Sequence, residues 1–181
     1  DKAAVFDDPA PLRSRRLNYT LNPPNYEEWN EWALDHGVDL RIIGYHSWKG
    51  GTNLFKFDSD SKEASFPCPR MWTRLSPLIK DSNDYNLIKT FASGCIGEGT
   101  AIEFVSFIKL TEKIDVKSIL KNPKLIEKYS GHEQINIKYA ILTGICECYA
   151  KEKKILNDAL GVAVLIEPEY AMFMLKTMKS I

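Results

Sequence analysis

Signals that start a helix recur along the whole chain. Asn25 can cap a helix, because Glu28 stands three residues later in the reciprocal position of a capping box. Similar start signals, a capping aspartate or a first-turn proline, recur at Asp39, Pro69, Asp84 and Pro168. Gly37 is a natural stop for the first of these helices. The pattern therefore predicts a mainly α fold with short loops and no internal repeat.

Apolar segments give the expected positions of the later helices. Residues 101–110 are apolar on nearly all sides, which predicts a central buried helix. Further helices are expected, in chain order, at residues 116–121, 125–129, 135–151, 154–165 and 168–179. The helical pattern begins near residue 23, so residues 23–181 are predicted to form one helical domain.

Residues 1–22 have a different pattern. Leu17, Tyr19 and Leu21 alternate with other residues, which predicts a short strand over residues 16–21. The sequence Asn-Pro-Pro at residues 22–24 ends this strand and provides a stiff linker. Residues 1–22 are therefore expected to be a separate piece ahead of the helical domain.

Composition excludes several classes of function. Lys and Arg together number 24, as do Asp and Glu, and this balance argues against a dedicated nucleic-acid or membrane surface. No apolar run approaches the ~20 residues that span a bilayer. The first residues do not have the pattern of a signal peptide, and a start without Met fits an excised fragment. No Cys-x-x-Cys pair occurs among the four cysteines, Cys68, Cys95, Cys146 and Cys148. We therefore expect buried free thiols in a reducing cytoplasm rather than a zinc site.

No complete catalytic constellation is visible. The chain lacks G-x-x-x-x-G-K-[ST], the loop whose backbone N–H groups hold phosphates, and lacks an apolar strand ending in paired acids that could hold magnesium. His36, His46 and His132 have no Ser or Cys arrangement beside them, so loop, cap or surface roles are expected. The Gly97-Glu98-Gly99 segment is expected to be a turn between helices, and the four tryptophans are expected in the core.

Several segments resemble one family in a shared order. Residues 11–15, Pro-Leu-Arg-Ser-Arg, resemble the end of an AAA+ core, and residues 25–37 resemble the first helix of a lid. Residues 55–58 and 66–72 resemble the pattern F-D … F-P-x-P-R-x-W, and residues 94–104 resemble G-x-x-G-E-G-x-A-x-E-F. Together these segments are similar to MoxR-like bacterial and phage AAA+ ATPases. The last seventy or so residues match no motif of that family.

The resemblance implies roles for three arginines. Arg15 resembles the finger arginine that enters the ATP site of a neighbouring subunit, and Arg13 is the alternative. Arg16 stands where the family usually has an apolar or aromatic residue, so the choice between Arg13 and Arg15 stays open. Arg70 resembles the sensor-2 arginine of the lid. A cation in the first turn of a helix is unfavourable unless an anion lies nearby, and either a nucleotide γ-phosphate or a local acid such as Glu63 or Asp60 could supply it.

The resemblance also implies a larger parent protein. Residues 1–22 would be the end of its AAA+ core, and residues 23–181 would be a lid-type bundle with a C-terminal helical extension. ATP and Mg²⁺ would be bound mainly by the core, which this sequence does not contain. The parent would act in the cytoplasm as a ring, a hexamer in this family, and remodel a partner protein with a von Willebrand factor A-type domain. The alternative is a stand-alone α-helical interaction module with no nucleotide role.

Overall fold

The computed structural model describes residues 11, 15–17, 19, 21–58, 60, 63–129 and 134–181. In this part of the chain the α-helices are, in order, α1 (Tyr26–Asp35), α2 (Leu40–Lys49), α3 (Pro69–Ile79), α4 (Tyr85–Ile96), α5 (Glu98–Lys113), α6 (Val116–Lys121), α7 (Ile135–Lys151), α8 (Leu156–Ala163) and α9 (Pro168–Ser180). Two 3₁₀ helices, Pro123–Tyr129 and Lys153–Ile155, precede α7 and α8. No described residue lies in a strand, so the prediction of a mainly α fold is confirmed.

The predicted helix starts at Asn25, Asp39 and Asp84 are confirmed by capping contacts, and those at Pro69 and Pro168 by proline in the first turn. At α1, the Glu28 backbone N–H donates to Asn25 Oδ1 (2.8 Å), and the Asn25 backbone N–H donates to Glu28 Oε2 (3.0 Å). Asp39 and Asp84 cap α2 and α4 by accepting hydrogen bonds from backbone N–H groups of the first turn. The predicted boundaries differ elsewhere: residues 125–129 lie in a 3₁₀ helix, and α8 begins after a second 3₁₀ turn.

Buried apolar side chains form two clusters. The first core is built from α1 to α5 with one residue of α7, and the second core is built from α6 to α9 with the 3₁₀ helix before α7. Helix α7 joins them, since Ala140 packs in the first core and Ile141 in the second, and α7 packs against α2, α5 and α9. None of the described helices is both long enough and apolar enough to cross a membrane.

The central position is shared by α2 and α7 and is not held by the segment 101–110. Residues 41–47 and 140–146 are buried without interruption, whereas α5 exposes 48% of Ile102 as well as Ser106 and Lys109. The two central helices approach closely at Gly44, where a Cβ atom would lie only 2.0 Å from Thr143 Oγ1. The apolar pattern of a sequence does not show where two helices approach closely at a glycine. The prediction that residues 101–110 form the central helix was wrong for this reason.

The strand predicted for residues 16–21 is not formed by the residues that the structure describes there. Leu17, Tyr19 and Leu21 are 81%, 79% and 91% exposed, and none of them has strand geometry. A strand needs a neighbouring strand to complete its backbone hydrogen bonds, and no described residue supplies one. Alternation of apolar residues was therefore an insufficient signal in this segment.

Candidate functional site

The three candidate arginines are in different situations. Arg13 lies outside the described residues. Arg15 is exposed in a turn and makes no hydrogen bond or ion pair with a described residue. Arg70 is exposed in the first turn of α3. No described contact joins Arg15 to Arg70, so the prediction that these arginines serve different ATP sites remains a prediction.

Arg70 lies at a helix end that has no negative charge. The N-cap residue of α3, Cys68, provides no side-chain hydrogen bond, and the first turn contains no Asp or Glu. The Met71 and Trp72 backbone N–H groups donate to the Cys68 carbonyl oxygen at 2.9 and 3.1 Å. An ion pair requires a carboxylate oxygen within 4.0 Å of a guanidinium nitrogen, and no described carboxylate lies this close to Arg70. The alternative ion pair with Glu63 or Asp60 is therefore not formed, and the positive helix end carries an additional, unbalanced positive charge.

An exposed cluster of aromatic rings precedes α3. Phe66 contacts Phe57 and Phe55, with ring centroids 5.0 and 6.4 Å apart, and each of the three side chains is at least 40% exposed. The Lys56 backbone N–H donates to the Pro67 carbonyl oxygen (3.0 Å), which holds the two segments of the cluster together. Exposed rings in a group mark a contact surface more often than single exposed rings do. The sequence showed these phenylalanines only as motif positions.

A polar network behind Arg70 connects α3 to α2 and α5. Trp72 is fully buried and its indole N–H donates to the Asn53 carbonyl oxygen (2.9 Å). The Asn53 side-chain amide (2.8 Å) and the Tyr45 hydroxyl (2.9 Å) both donate to Glu103 Oε2, and Lys49 pairs with the other oxygen. Desolvation alone would raise the pKa of Glu103, but the hydrogen bonds from Lys49, Tyr45 and Asn53 hold it below its usual value. We call these five residues the Glu103 network, and it fixes the start of α3 relative to α2 and α5.

The segment before α3 is also held against the turn between α4 and α5. Gly97 adopts a φ of +81°, and a Cβ atom there would lie 2.4 Å from Glu63 Oε2 and 3.0 Å from the Ser65 carbonyl oxygen. The Ser65 hydroxyl donates to the Gly94 carbonyl oxygen (2.7 Å). Glycine is therefore required at position 97 for both its backbone conformation and its close contact. The expected turn between helices is confirmed at Gly97, the single residue between α4 and α5, whereas Glu98 and Gly99 lie in the first turn of α5.

His46 corrects the expected role of the histidines. Its side chain is fully buried, and neither ring nitrogen has a hydrogen-bond partner among the described residues. It makes edge contacts with Trp29 and Trp72, at centroid distances of 5.2 and 4.4 Å. Desolvation lowers the pKa of His46 to about 3, so the ring is neutral at physiological pH. The expectation of a loop, cap or surface role was wrong for His46 and right for His36, which is the C-cap residue of α1, while His132 lies outside the described residues.

The tryptophans divide in a similar way. Trp29 and Trp72 are core residues, as expected, and Trp48 is half-buried and stacks on Phe107 with centroids 5.6 Å apart. Trp32 is 41% exposed and stacks on His36 at 4.2 Å, so its predicted core position was wrong. Its neighbour His36 anchors the ring at the end of α1.

The geometry defines the class of protein only as a helical domain in which an arginine at a helix N-terminus has no ion pair with a described residue. No protein-family model matches the chain, and neither a curated protein nor a solved structure matches it. The described residues contain no group of three or more His, Cys, Asp or Glu side chains placed to hold a metal ion. The likeness to MoxR-like ATPases therefore depends on the sequence segments alone, and the functional assignment is a proposal.

Proposed function

We propose that this chain is the lid region, with a C-terminal helical extension, of a MoxR-like AAA+ ATPase that remodels partner proteins. Arg70 carries the proposal. Its guanidinium is exposed and has no described carboxylate partner, and the N–H groups of α3 add to the positive potential at the same place. A phosphate group would be favoured by both charges, because helix N-termini and arginine forks are both good phosphate ligands.

In the proposed mechanism Arg70 contacts the γ-phosphate of ATP in its own subunit. The Glu103 network couples α3 to α2 and α5, so a displacement of Arg70 would move the first core as a unit. The Asn-Pro-Pro linker at residues 22–24 would be the hinge of that motion. The described residues fit a phosphate contact only, and Mg²⁺ with most of the nucleotide would be held by the core of the parent. When bound, the metal would neutralise charge on the phosphates.

The proposed parent works as a ring. Arg15, with Arg13 as the alternative, would enter the ATP site of a neighbouring subunit and stabilise charge that develops on the transferred phosphoryl group. The ring would be a hexamer in the cytoplasm, and its client would carry a von Willebrand factor A-type domain. The balanced charge of the chain, with 24 basic and 24 acidic residues, supports a protein client over a nucleic acid.

The decisive experiment compares Arg70→Ala with Arg74→Ala in the parent protein, once a phosphate-binding loop is found upstream in the reading frame. Arg74 is the matched control, because it is also exposed and lies one turn later on α3. We expect Arg70→Ala to lower ATP turnover about a hundredfold, which is the usual cost of losing one transition-state charge donor. Arg74→Ala should leave turnover near normal. Equal turnover of the two variants would refute the sensor role.

The alternative function, a protein-interaction module without a nucleotide role, has one observation in its favour. An exposed apolar stripe runs along α8 and the residue after it. It consists of Leu156, Leu160 and Val164, which are spaced four residues apart and are 41%, 40% and 82% exposed. Under this alternative, Leu160→Asp would remove partner binding while Arg70→Ala would have no effect. Under the lid proposal, Arg70→Ala should impair ATP-dependent remodelling more than Leu160→Asp does.

A further inference from the structure

A cleft of about 490 Å³ lies beside the first core. Its lining comes from the ends of helices α1, α2, α5, α7 and α9 and from the turn after α3. The lining does not include Arg70, the aromatic cluster before α3 or the Glu103 network. The volume falls in the range of small-molecule sites, roughly 300–1,000 Å³.

One ion pair in the cleft is already saturated. Arg41 donates two hydrogen bonds to the Asp39 carboxylate, at 2.9 and 2.7 Å. It also donates to the carbonyl oxygens of Ile79 (2.7 Å) and Ser82 (2.9 Å), so it closes the C-terminal end of α3. The Asp39 carboxylate in turn accepts the Arg41 backbone N–H at the start of α2. These two side chains hold the fold together and offer little to a ligand.

Glu147 is the half-buried charge of the cleft that lacks a partner. It makes no hydrogen bond or ion pair with any described residue, whereas Glu112 accepts a hydrogen bond from the Tyr85 hydroxyl. Its oxygens are not among the fully buried polar atoms without a partner, so a ligand can reach them. Desolvation raises the pKa of Glu147, and the nearby Arg41 and Lys151 offset this only in part. A carboxylate in such a place is unfavourable unless a donor or a cation comes to it.

Apart from Asp39, Arg41 and Thr111, the buried residues of the lining are aliphatic. Leu34, Val38, Leu40, Ile43 and Ile108 line the cleft beside Glu147. Sites for small molecules combine an apolar wall with a few polar groups that orient the ligand. We propose that this cleft binds a small organic cation, an alkylammonium whose charged group pairs with Glu147 and whose hydrocarbon body lies against the aliphatic wall. The inference does not depend on a nucleotide role for Arg70.

The test titrates the whole chain with cyclohexylmethylammonium and with cyclohexylmethanol, a neutral molecule of nearly the same shape. We expect the ammonium to bind at least about tenfold more tightly, because a hydrogen bond to a charged group is worth at least that factor. Glu147→Gln should abolish the preference for the ammonium. Glu152→Gln is the matched control, since Glu152 is exposed beyond the end of α7 and outside the cleft, and it should retain the preference. Equal binding of the two probes, or a preference that survives Glu147→Gln, would overturn the proposal.

Two further arms identify the place and the source of the cation. Ala150→Trp fills the cleft from α7 and should weaken binding of both probes, and unchanged affinities would mean that the probes bind elsewhere. Nα-acetyllysine N-methylamide represents a lysine side chain of a protein. If this lysine derivative bound about tenfold more tightly than cyclohexylmethylammonium, the proposal of a small-molecule ligand would be wrong. Glu147→Gln is expected to fold, since it removes a half-buried charge without a partner.

Discussion

The two cores of this molecule are stabilised in different ways. In the first core Tyr45 lies among the rings of Trp48, Trp72, Phe104 and Phe107, with centroid distances between 5.4 and 6.0 Å. The second core is mostly aliphatic, with residues such as Ile141, Leu142, Ile145, Val162 and Met174. Contacts between rings depend on their orientation, while aliphatic packing depends mainly on the area buried. The half of the domain that carries Arg70 is therefore the half with the more directional packing.

The segments that resemble the MoxR-like pattern lie in the part of the chain that forms the first core. The motif-like segments contribute Trp72, Glu103 and Phe104 to the first core or to its polar network. Such residues tolerate few replacements, because their contacts require one shape and one set of donors. Aliphatic residues exchange with one another at little cost if the volume is kept, so the second core can change its sequence without changing its packing.

The two cores also differ in their buried polar groups, which make more specific contacts in the first core. The first core contains the Glu103 network and the unpaired His46. In the second core, Lys138 donates to Glu167 (2.5 Å) and lies 4.8 Å from the centroid of the Tyr170 ring. Burial raises the pKa of the Cys146 thiol, which makes it an unreactive apolar packing group. Polar specificity is therefore concentrated in the first core.

The strongest test of the comparison is Trp72→Ala. Trp72 is fully buried and donates to the Asn53 carbonyl oxygen, so its loss should cost about 3–5 kcal/mol of the free energy of unfolding. Trp32→Ala is the matched control and should cost about 1 kcal/mol or less, since Trp32 is 41% exposed. Chemical denaturation monitored by circular dichroism measures both values.

Hydrogen exchange in Trp72→Ala shows whether the cores are independent. Because α7 contributes to both cores, we expect amide protection to fall in both by the same free energy. Protection that falls in α2 to α5 and stays unchanged in α8 and α9 would contradict this expectation. The two cores would then be separate folding units.

The local parts of the fold were predictable from the sequence. A capping contact involves residues two or three positions apart, so Asn25, Asp39 and Asp84 could be recognised without knowledge of the fold. The lack of strand geometry at the described residues of 16–21 and the burial of His46 were not predictable in this way. Strand formation needs a distant partner, and His46 is buried by Trp29 and Trp72 from other helices.

The candidate sites follow the same division. Arg70 was recognisable as a helix-start arginine, but its lack of a carboxylate partner is a property of the packed structure. Glu147 was not singled out in the sequence. Its only signal in the sequence is a carboxylate directly after the mostly apolar run of residues 140–146. The cleft that exposes it is built from helices far apart in the chain.

A second test concerns the contact between the two central helices. Gly44→Ala would place a Cβ atom 2.0 Å from Thr143 Oγ1, so α2 and α7 would have to separate. We expect a loss of about 1–3 kcal/mol of stability, as for other overpacked cores. Gly94→Ala is the control, because a Cβ atom there meets nothing within 4 Å and alanine favours a helix, which should give a gain of up to about 1 kcal/mol. A Gly44→Ala variant as stable as wild type would show that the contact between α2 and α7 is looser than described.

The smallest expected effect is the dependence of stability on pH that His46 gives to the first core. Burial lowers the pKa of His46 from 6.5 to about 3, so between these values the unfolded chain binds a proton that the folded chain does not. The stabilisation is fully present above pH 6.5 and is lost as the pH falls toward 3. Between pH 7 and pH 5.5 the free energy of unfolding should fall by about 1 kcal/mol because of this group.

His46→Phe should remove this loss, and it should also stabilise the protein at pH 7, because an apolar ring replaces a buried polar group without a partner. His36→Gln is the control and should keep the dependence on pH, since His36 is exposed. Glu103 does not interfere in this window, because its lowered pKa affects stability only near and below 4.5. The raised pKa of Glu147 acts in the opposite direction, with stability lost as the pH rises, but it is common to wild type and both variants and cancels in the comparison. If urea titrations at pH 7 and 5.5 gave the same difference for wild type and His46→Phe, the acid sensitivity would not belong to the first core.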